Sequence, residues 1–402
     1  MLILGAGPAG LACGIMSALC GERSIVLEKN DRPGLKLRLS GSGQCNLTHG
    51  GAIGDFLNHY GSKTQSRFVK PALFAFPNGE IIRFFEQHGV PLVERDDGKI
   101  FPRSLQSGDV LRALLEALEA NGGQLRTDVT IDAVRRTDDG FCVETNQGTF
   151  SSKRLAIAAG GMSYPQTGST GDGYRWAEQF FGHRIVPPRP ALTPVIVGRY
   201  PFAEAAGISF ENVPIDVWRN GKKIRRGTGD VLLTHRGLSG PGILDLSRFL
   251  APQDTLRLPL CRNTACWESL FSGKKLLKNA LAPLGIPDRL LLLLLSELGI
   301  SPDTAAVSAA EIDRRTRHRL KESLEGFAFV VERLGGFDEA MATSGGIALE
   351  EVHRQTMESR LVPSLFFCGE VLDIDGDTGG YNIQFALSSG FLAGKNIYRI
   401  PP

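Results

Sequence analysis

The residues with chemistry to offer gather near the two ends of the chain. Gly5, Gly7 and Gly10 set the spacing G-x-G-x-x-G within Gly5-Ala6-Gly7-Pro8-Ala9-Gly10. Between a strand and a helix, the first glycine makes a tight turn, the second lets the backbone approach a pyrophosphate, and the third lets helix and strand pack closely. The helix then offers N–H groups and the positive end of its dipole to the phosphates. Glu28, 18 positions after Gly10 and just before Lys29, closes the run Ser24–Leu27. There it is placed to accept hydrogen bonds from an adenosine ribose, and its charge repels a 2′-phosphate, so FAD or NAD fits and NADP does not. Towards the other end come Gly369 and Glu370, an acidic glycine-rich loop, and then Gly379, Gly380, Tyr381, Asn382 and Gln384, with a long apolar helix beginning near Asn382. A second helix N-terminus preceded by glycine is another place for electron-rich oxygen. Two-ended capture suits FAD: the first turn takes the ADP half, while Glu370 and the late helix take ribityl and isoalloxazine.

A flavin carries its own redox chemistry, so the protein need add only a proton donor or a positioning group. Cys45, Tyr164 and His235 are the candidates. Cys45 is either a general acid or a small packing residue, and His235 is either a substrate-facing acid or a turn residue bonded to backbone. Ser239 matches G-x-S-x-G without the strand-to-helix elbow, which argues against a hydrolase. No second G-x-G-x-x-G follows a strand, so NAD(P)H is expected as a transient reductant in the substrate cleft.

The elements that must hold these residues read as an α/β protein. The first thirty residues form a βαβ unit, and Asp109–Asn121 has helical spacing with Asp109 as a possible N-cap. Strands alternate over 124–150, and the run from Lys153 reaches a glycine turn at Gly160. A proline cluster at Pro187, Pro188, Pro190 and Pro194 marks a boundary, followed by strands joined at Asn220-Gly221. Leu-rich helices occupy 264–323. The expected domains are a Rossmann domain over 1–186 and 340–402, a β-rich insert over 187–263 and 324–339, and a helical subdomain over 264–323 within it.

The composition is that of an ordinary globular protein, with 42% hydrophobic and 22% charged residues in a chain of 402. Seven cysteines, an odd number without C-x-x-C spacing, favour neither a disulfide framework nor a metal site. A cytoplasmic protein without membrane insertion is expected, because the longest apolar run, Leu290–Leu295, is far short of a span. The net charge of +2 divides unevenly: 22 basic and 16 acidic residues over 184–338 give +6, against −4 elsewhere. Lys222, Lys223, Arg225 and Arg226 form one basic cluster, and Arg314, Arg315, Arg317 and Arg319 another. Each is either a solvated face or a surface for a polyanion such as RNA.

Six ordered segments carry a family resemblance: Lys36–His49, Lys99–Ser104, Ala158–Tyr174, Gly229–Ser247, Ala342–Val352 and Cys368–Ala386. On these the chain resembles the bacterial FAD-binding flavoproteins of the YhiN, BaiN and aminoacetone-oxidase type. The resemblance implies a glutathione-reductase-type FAD-binding Rossmann domain with an inserted β-barrel-like domain and helical subdomain, and it places Lys36, Ser40, Cys45 and Asn46 along the FAD. Gly41, Val129 and Gly160 complete the expected cofactor contacts. The family's Gly-Gly-Gly-Arg-Cys-Asn reads Gly-Ser-Gly-Gln-Cys-Asn over 41–46 here, so a cation is missing at Gln44. The activity expected is an FAD-dependent oxidoreductase that takes hydride from NAD(P)H and reduces an activated C=C or C=N bond of a small molecule. The alternatives are a ribosomal RNA uridine reductase, an O₂-using amine oxidase, and a non-enzymatic flavin-bound RNA-binding or redox-sensing protein.

Overall fold

A computed structural model describes residues 1–261, 267–271, 274–300 and 308–396. Thr264, the expected start of the helical subdomain, and Cys266 lie outside the described residues. The chain divides into two compact units, one made of Met1–Ala191 with the chain from Phe337 onward, the other of Leu192–Gly336.

The first unit is built on a parallel sheet in the order Leu365–Phe367, Leu155–Ile157, Leu2–Leu4, Ile25–Leu27, Gln124–Arg126. The inner strands are apolar and buried, as a parallel sheet covered on both faces requires, and only the edge strand Gln124–Arg126 is half-exposed. The first helix, Pro8–Leu19, starts with proline, whose missing N–H costs nothing at that position. Its small residues admit the C-terminal helix, Tyr381–Lys395, at very short range. A Cβ on Gly390 would lie 2.1 Å from the Ala9 carbonyl oxygen, and one on Gly394 2.6 Å from that of Cys13. Glycine is required at both positions. The matched pairs advance in the same direction, so the two helices run parallel. The C-terminal helix begins nine residues before Gly390, and at 1.5 Å per residue its N-terminus projects about 12 Å beyond that of the first helix.

Two boundary expectations are corrected. The helix expected at Asp109–Asn121 spans Ser107–Ala120 with Gln106 as N-cap, and Asp109 sits in its first turn, accepting from Ser104 and Arg112. Pro187, Pro188 and Pro190 lie inside the strand Ile185–Ala191, which pairs antiparallel with Ala342–Ile347 in the first unit. The register shifts between Val186 and Arg189, where two prolines have no N–H to give the ladder.

The second unit holds a closed six-stranded barrel, in the order Val195–Val197, Gly237–Ser239, Lys222–Leu233, Ser209–Arg219, Thr255–Leu258, Phe327–Leu334. Val213, Ile215 and Val217 alternate inward along one strand to fill it. The hairpin turn is at Asn220-Gly221, both with positive φ (51° and 74°), the conformation that two-residue hairpin loops favour. Helices follow at Leu277–Leu281, Asp288–Glu297 and Arg314–Gly326. The leucine run buries Leu290, Leu291, Leu294 and Leu295 along one stripe, so it is core. No single helix among the described residues is long and apolar enough to cross a membrane.

Candidate functional site

The carboxyl ends of the parallel strands, where such sheets bind ligands, carry the candidate residues of the first unit. Each glycine of the first turn has its own reason. Gly5 takes φ +106°, and a Cβ there would sit 2.6 Å from the Ala158 carbonyl oxygen. A Cβ on Gly10 would lie 1.9 Å from the Gly5 carbonyl oxygen, so helix and strand touch there. A Cβ on Gly7 would meet nothing within 4 Å; this is where the turn is open to a ligand. Glu28 locks the turn, accepting from the Ala6 N–H at 2.9 Å through Oε2, and from the Asn30 N–H (3.0 Å) and Nδ2 (2.8 Å) through Oε1. With three donors on about four lone-pair sites, the carboxylate retains capacity for one ribose hydroxyl. Val129 is buried and donates its N–H to the Glu28 carbonyl at 2.9 Å. Lys29 binds Thr170 Oγ1 at 2.7 Å and Asp172 at 2.6 Å, tying the second strand to the helix Asp172–Phe181. Against the pull of burial, Lys29 and Thr170 hold the Asp172 carboxyl below the ordinary range.

Gly369, at φ +77°, sits so close to the start of the first helix that a Cβ would lie 2.7 Å from that of Ala9. The next residue, Glu370, accepts from Lys36 Nζ at 2.6 Å, from the Thr343 N–H at 2.7 Å and from Ser163 Oγ at 3.2 Å. Lys36 donates to Ser163 as well. Two residues assigned separately to the cofactor are therefore ion-paired with each other, 334 positions apart in sequence. Thr343 Oγ1 accepts from the N–H groups of Met162 (2.8 Å) and Ser163 (3.1 Å), which fixes the turn after Gly160. Ser163 and Thr343 lie within segments that carry the resemblance, but nothing in their type marks them out.

The loop from Ser40 to Asn46 meets the C-terminal helix. Ser40 Oγ donates to the Leu37 carbonyl at 2.6 Å, and Gly41 takes φ +56°. With its amide oriented to satisfy both neighbours, Asn46 donates to the Thr48 carbonyl (3.1 Å) and accepts from the Gly380 N–H (3.2 Å). A Cβ on Gly380 would fall 2.7 Å from the Thr48 backbone, so the chains cross there, and Gly379 takes φ +122°. Gln384 is fully buried and its amide is engaged by Thr48 Oγ1 (2.5 Å), the Phe76 carbonyl (3.0 Å) and Ser388 Oγ (2.9 Å). Asn382 closes the acidic loop through both the N–H and the carbonyl of Gly376. These two amides brace the helix start from within. Tyr381 is buried between the rings of His49 and His59, at centroid distances of 5.4 and 4.0 Å.

The proton-donor candidates fare differently. Cys45 is completely buried and burial pushes its thiol up to about 12, which keeps it protonated and fits the packing alternative. His235 belongs to the second unit, exposed between the strands Lys222–Leu233 and Gly237–Ser239. Gln44 itself has a cationic neighbour within the first unit. Arg95 donates to Gln44 Oε1 at 2.7 Å, and its guanidinium lies 3.9 Å from the centre of the Phe101 ring. This pairing has no signal in the sequence.

The two basic clusters of the second unit are partly spent on the protein itself. Lys223 (2.8 Å) and Arg226 (2.7 Å) share Asp216, and Arg225 lies over Phe249 at 3.5 Å. Arg317 donates to the carbonyls of Ile312 (2.7 Å) and Ala310 (2.8 Å), and Arg319 to that of Leu298 (3.1 Å).

The residues fit FAD on a feature independent of any motif. Both parallel helices begin at glycine with no side-chain cap and no acidic residue in the first turn, leaving N–H groups and dipole for an anion or a carbonyl. Two such N-termini, offset by about 12 Å along parallel axes, suit an elongated ligand with phosphates at one end and a polar ring at the other.

Comparison with known proteins agrees. A family model described as HI0933-like protein Rossmann domain matches residues 1–396. The ribosomal RNA dihydrouridine synthase of Escherichia coli strain K12 is 30% identical over 403 residues, covering 98% of this chain and 97% of that protein. The 3-dehydro-bile acid delta(4,6)-reductase of Clostridium scindens is 28% identical over 412 residues, with coverage of 98% and 97%. Among solved structures, E. coli quinol fumarate reductase FrdA superposes with a TM-score of 0.52 at 14% identity, covering 98% of this chain and 69% of that one. The 3-ketosteroid delta1-dehydrogenase of Sterolibacterium denitrificans gives 0.51 at 12% identity, with 98% of both chains covered. At these identities the two structures show a shared fold.

Proposed function

The chain belongs to the HI0933-like Rossmann-domain family and is an FAD-dependent oxidoreductase; from that premise we propose that it takes hydride from NAD(P)H and delivers it to an activated C=C or C=N bond of a small molecule. The observation that carries the reading is the pair of uncapped, offset helix N-termini on one side of the sheet. The reductive direction is supported by the two relatives, one named a dihydrouridine synthase of ribosomal RNA and the other a reductase of a 3-dehydro-bile acid. Bound FAD would supply the two-electron chemistry. The backbone around Gly7 and the start of the first helix would hold its phosphates, Glu28 the ribose, and the start of the C-terminal helix the polar edge of its ring system. Lys36 and Glu370, paired, keep the surrounding loops in register without leaving a net charge. Anaerobic mixing with NADH, NADPH or aminoacetone is the test. Bleaching of the flavin by a nicotinamide is expected, and bleaching by the amine alone would replace the reductase with an amine oxidase.

A second reading, reduction of uridine in ribosomal RNA, is favoured by the E. coli relative, similar over nearly its whole length. Of the hairpin residues only Lys222 and Arg225 have no carboxylate partner among the described residues, because Asp216 occupies the other two. If this face holds RNA, removing all four should shrink the log–log salt slope of binding by about two rather than four. An unchanged slope would leave the hairpin a solvated face.

A further inference from the structure

Asp377, in the acidic loop before the C-terminal helix, pairs with His59 from the segment Asp55–His59. Asp377 donates its N–H to the His59 carbonyl at 2.8 Å, and its carboxylate lies 3.1 Å from His59 Nδ1. Tyr60 and Gly376 form an antiparallel bridge beside them, so a backbone ladder fixes the pair. The imidazole lies flat on Tyr381, with centroids 4.0 Å apart and planes 10° apart. Tyr381 is held in turn by His49 on its other face and by Tyr60, whose hydroxyl donates to its carbonyl at 3.0 Å. His59 and Asp377 nevertheless keep 38% and 27% of their side-chain surface exposed. His59 Nε2 makes no hydrogen bond to a described residue. A carboxylate on Nδ1 fixes the tautomer and orientation of an imidazole, and so leaves Nε2 as the atom that takes or gives a proton.

We propose that His59, oriented by Asp377 and Tyr381, is the acid–base group at the reacting end of the flavin site. The proposal rests on the reading that the start of the C-terminal helix holds the flavin ring, because His59 stacks on the first residue of that helix. Saturating an activated double bond needs a hydride and then a proton. The hydride, whose two electrons come from NAD(P)H through the cofactor, forms a C–H bond as the π bond breaks. The electron pair left on the neighbouring atom, carbon or nitrogen, takes the proton from protonated His59 Nε2, and the neutral imidazole regains one from water. The ionisable groups facing His59 are Asp377, Tyr381 and Tyr60, with His49 across the tyrosine ring. Burial raises the Tyr60 phenol well above its ordinary range, so it does not compete as an acid–base group near neutrality.

The test is anaerobic potentiometry of the FAD-loaded full chain across about pH 5.5 to 8.5, for wild type, His59→Asn and Asp377→Asn, with FAD affinity measured alongside. A proton on His59 beside the ring favours the reduced, more electron-rich state. Wild type should therefore become more positive than His59→Asn at acid pH by about 30 mV or more, a tenfold change in the two-electron equilibrium, and the curves should converge at alkaline pH. Asp377→Asn removes the carboxylate that orients the imidazole and should shrink the divergence. A merely structural role would move neither. Curves that superimpose with FAD bound overturn the proposal. If His59→Asn does not fold, Asp377→Asn decides: a profile matching wild type overturns it. A wild-type chain that binds no FAD overturns the proposed function itself, and the two failures are thereby told apart.

Discussion

Gly7→Ala should separate cofactor binding from folding. Gly7 has φ −80° and ψ 179°, a conformation open to any residue, and a Cβ there meets nothing within 4 Å. As an N-cap, alanine is poorer than glycine by a fraction of a kcal/mol, while a stiffer unfolded chain returns about 0.4–1 kcal/mol. The two nearly cancel, so Tm without FAD should stay within about 3 °C of wild type. The same methyl stands in the open space that a pyrophosphate must enter. Losing two charge-assisted hydrogen bonds from the helix N-terminus, at about 1.5–3 kcal/mol each, removes about 3–6 kcal/mol, or roughly 10²–10⁴-fold in Kd. FAD titration of the apoprotein by fluorescence, with calorimetry on the same samples, reads both quantities. An alanine variant that binds FAD within about threefold of wild type would refute the placement of phosphates at this turn. A large fall in Tm would show that the space at Gly7 is not open.

Gly390→Ala should fail in the opposite way: its Cβ would meet the Ala9 carbonyl oxygen at 2.1 Å, the helices must separate, and about 1–3 kcal/mol of stability should be lost in denaturant titrations, with FAD affinity falling too. His183 is buried, with Nδ1 3.0 Å from Glu351 and Nε2 2.9 Å from Ser359. Burial holds its pKa below the ordinary 6.5 although Glu351 pulls upward, so the unfolded chain binds the extra proton first. Its contribution to stability is therefore present above about pH 6.5 and lost as pH falls through the lowered value. The difference in Tm between wild type and His183→Gln should shrink over that interval, and a constant difference would refute the assignment. Cys45, raised to about 12, should resist iodoacetamide at about pH 8 in the native protein and react once it is unfolded, as mass spectrometry of the labelled peptide would show.

What was legible in the sequence was what repeats locally. The turn at Gly5–Gly10, the ribose-side Glu28 and the hairpin at Asn220-Gly221 follow from spacing over a few residues, and the structure gives Gly5, Gly10 and Gly221 a steric or conformational reason. What was not legible depends on partners brought together from afar. Lys36 and Glu370 each fit a place along the cofactor, but only folding reveals that they touch each other. Gln44 suggested a lost cation because Arg95 lies on another segment. The proline cluster marks a boundary, and the two units do divide within it, at Ala191, but Pro187, Pro188 and Pro190 sit in a strand whose register slips to accommodate them. Charge counting overstated the basic hairpin for a related reason: it cannot see that Asp216 lies across the strand from Arg226.

The close parallel packing of the first and C-terminal helices has a consequence for biosynthesis. The turn that would receive the phosphates leaves the ribosome long before the helix lying against it, which is complete only after Gly394 has been made. Until then the small-residue face of the first helix lacks this partner, and no two-ended site exists for a dinucleotide to bridge. Cofactor capture must then wait until the chain through Gly394 has been made. Bound flavin would report that both helices were made and packed, and a product truncated before Gly390 would be left colourless and with its first helix uncovered.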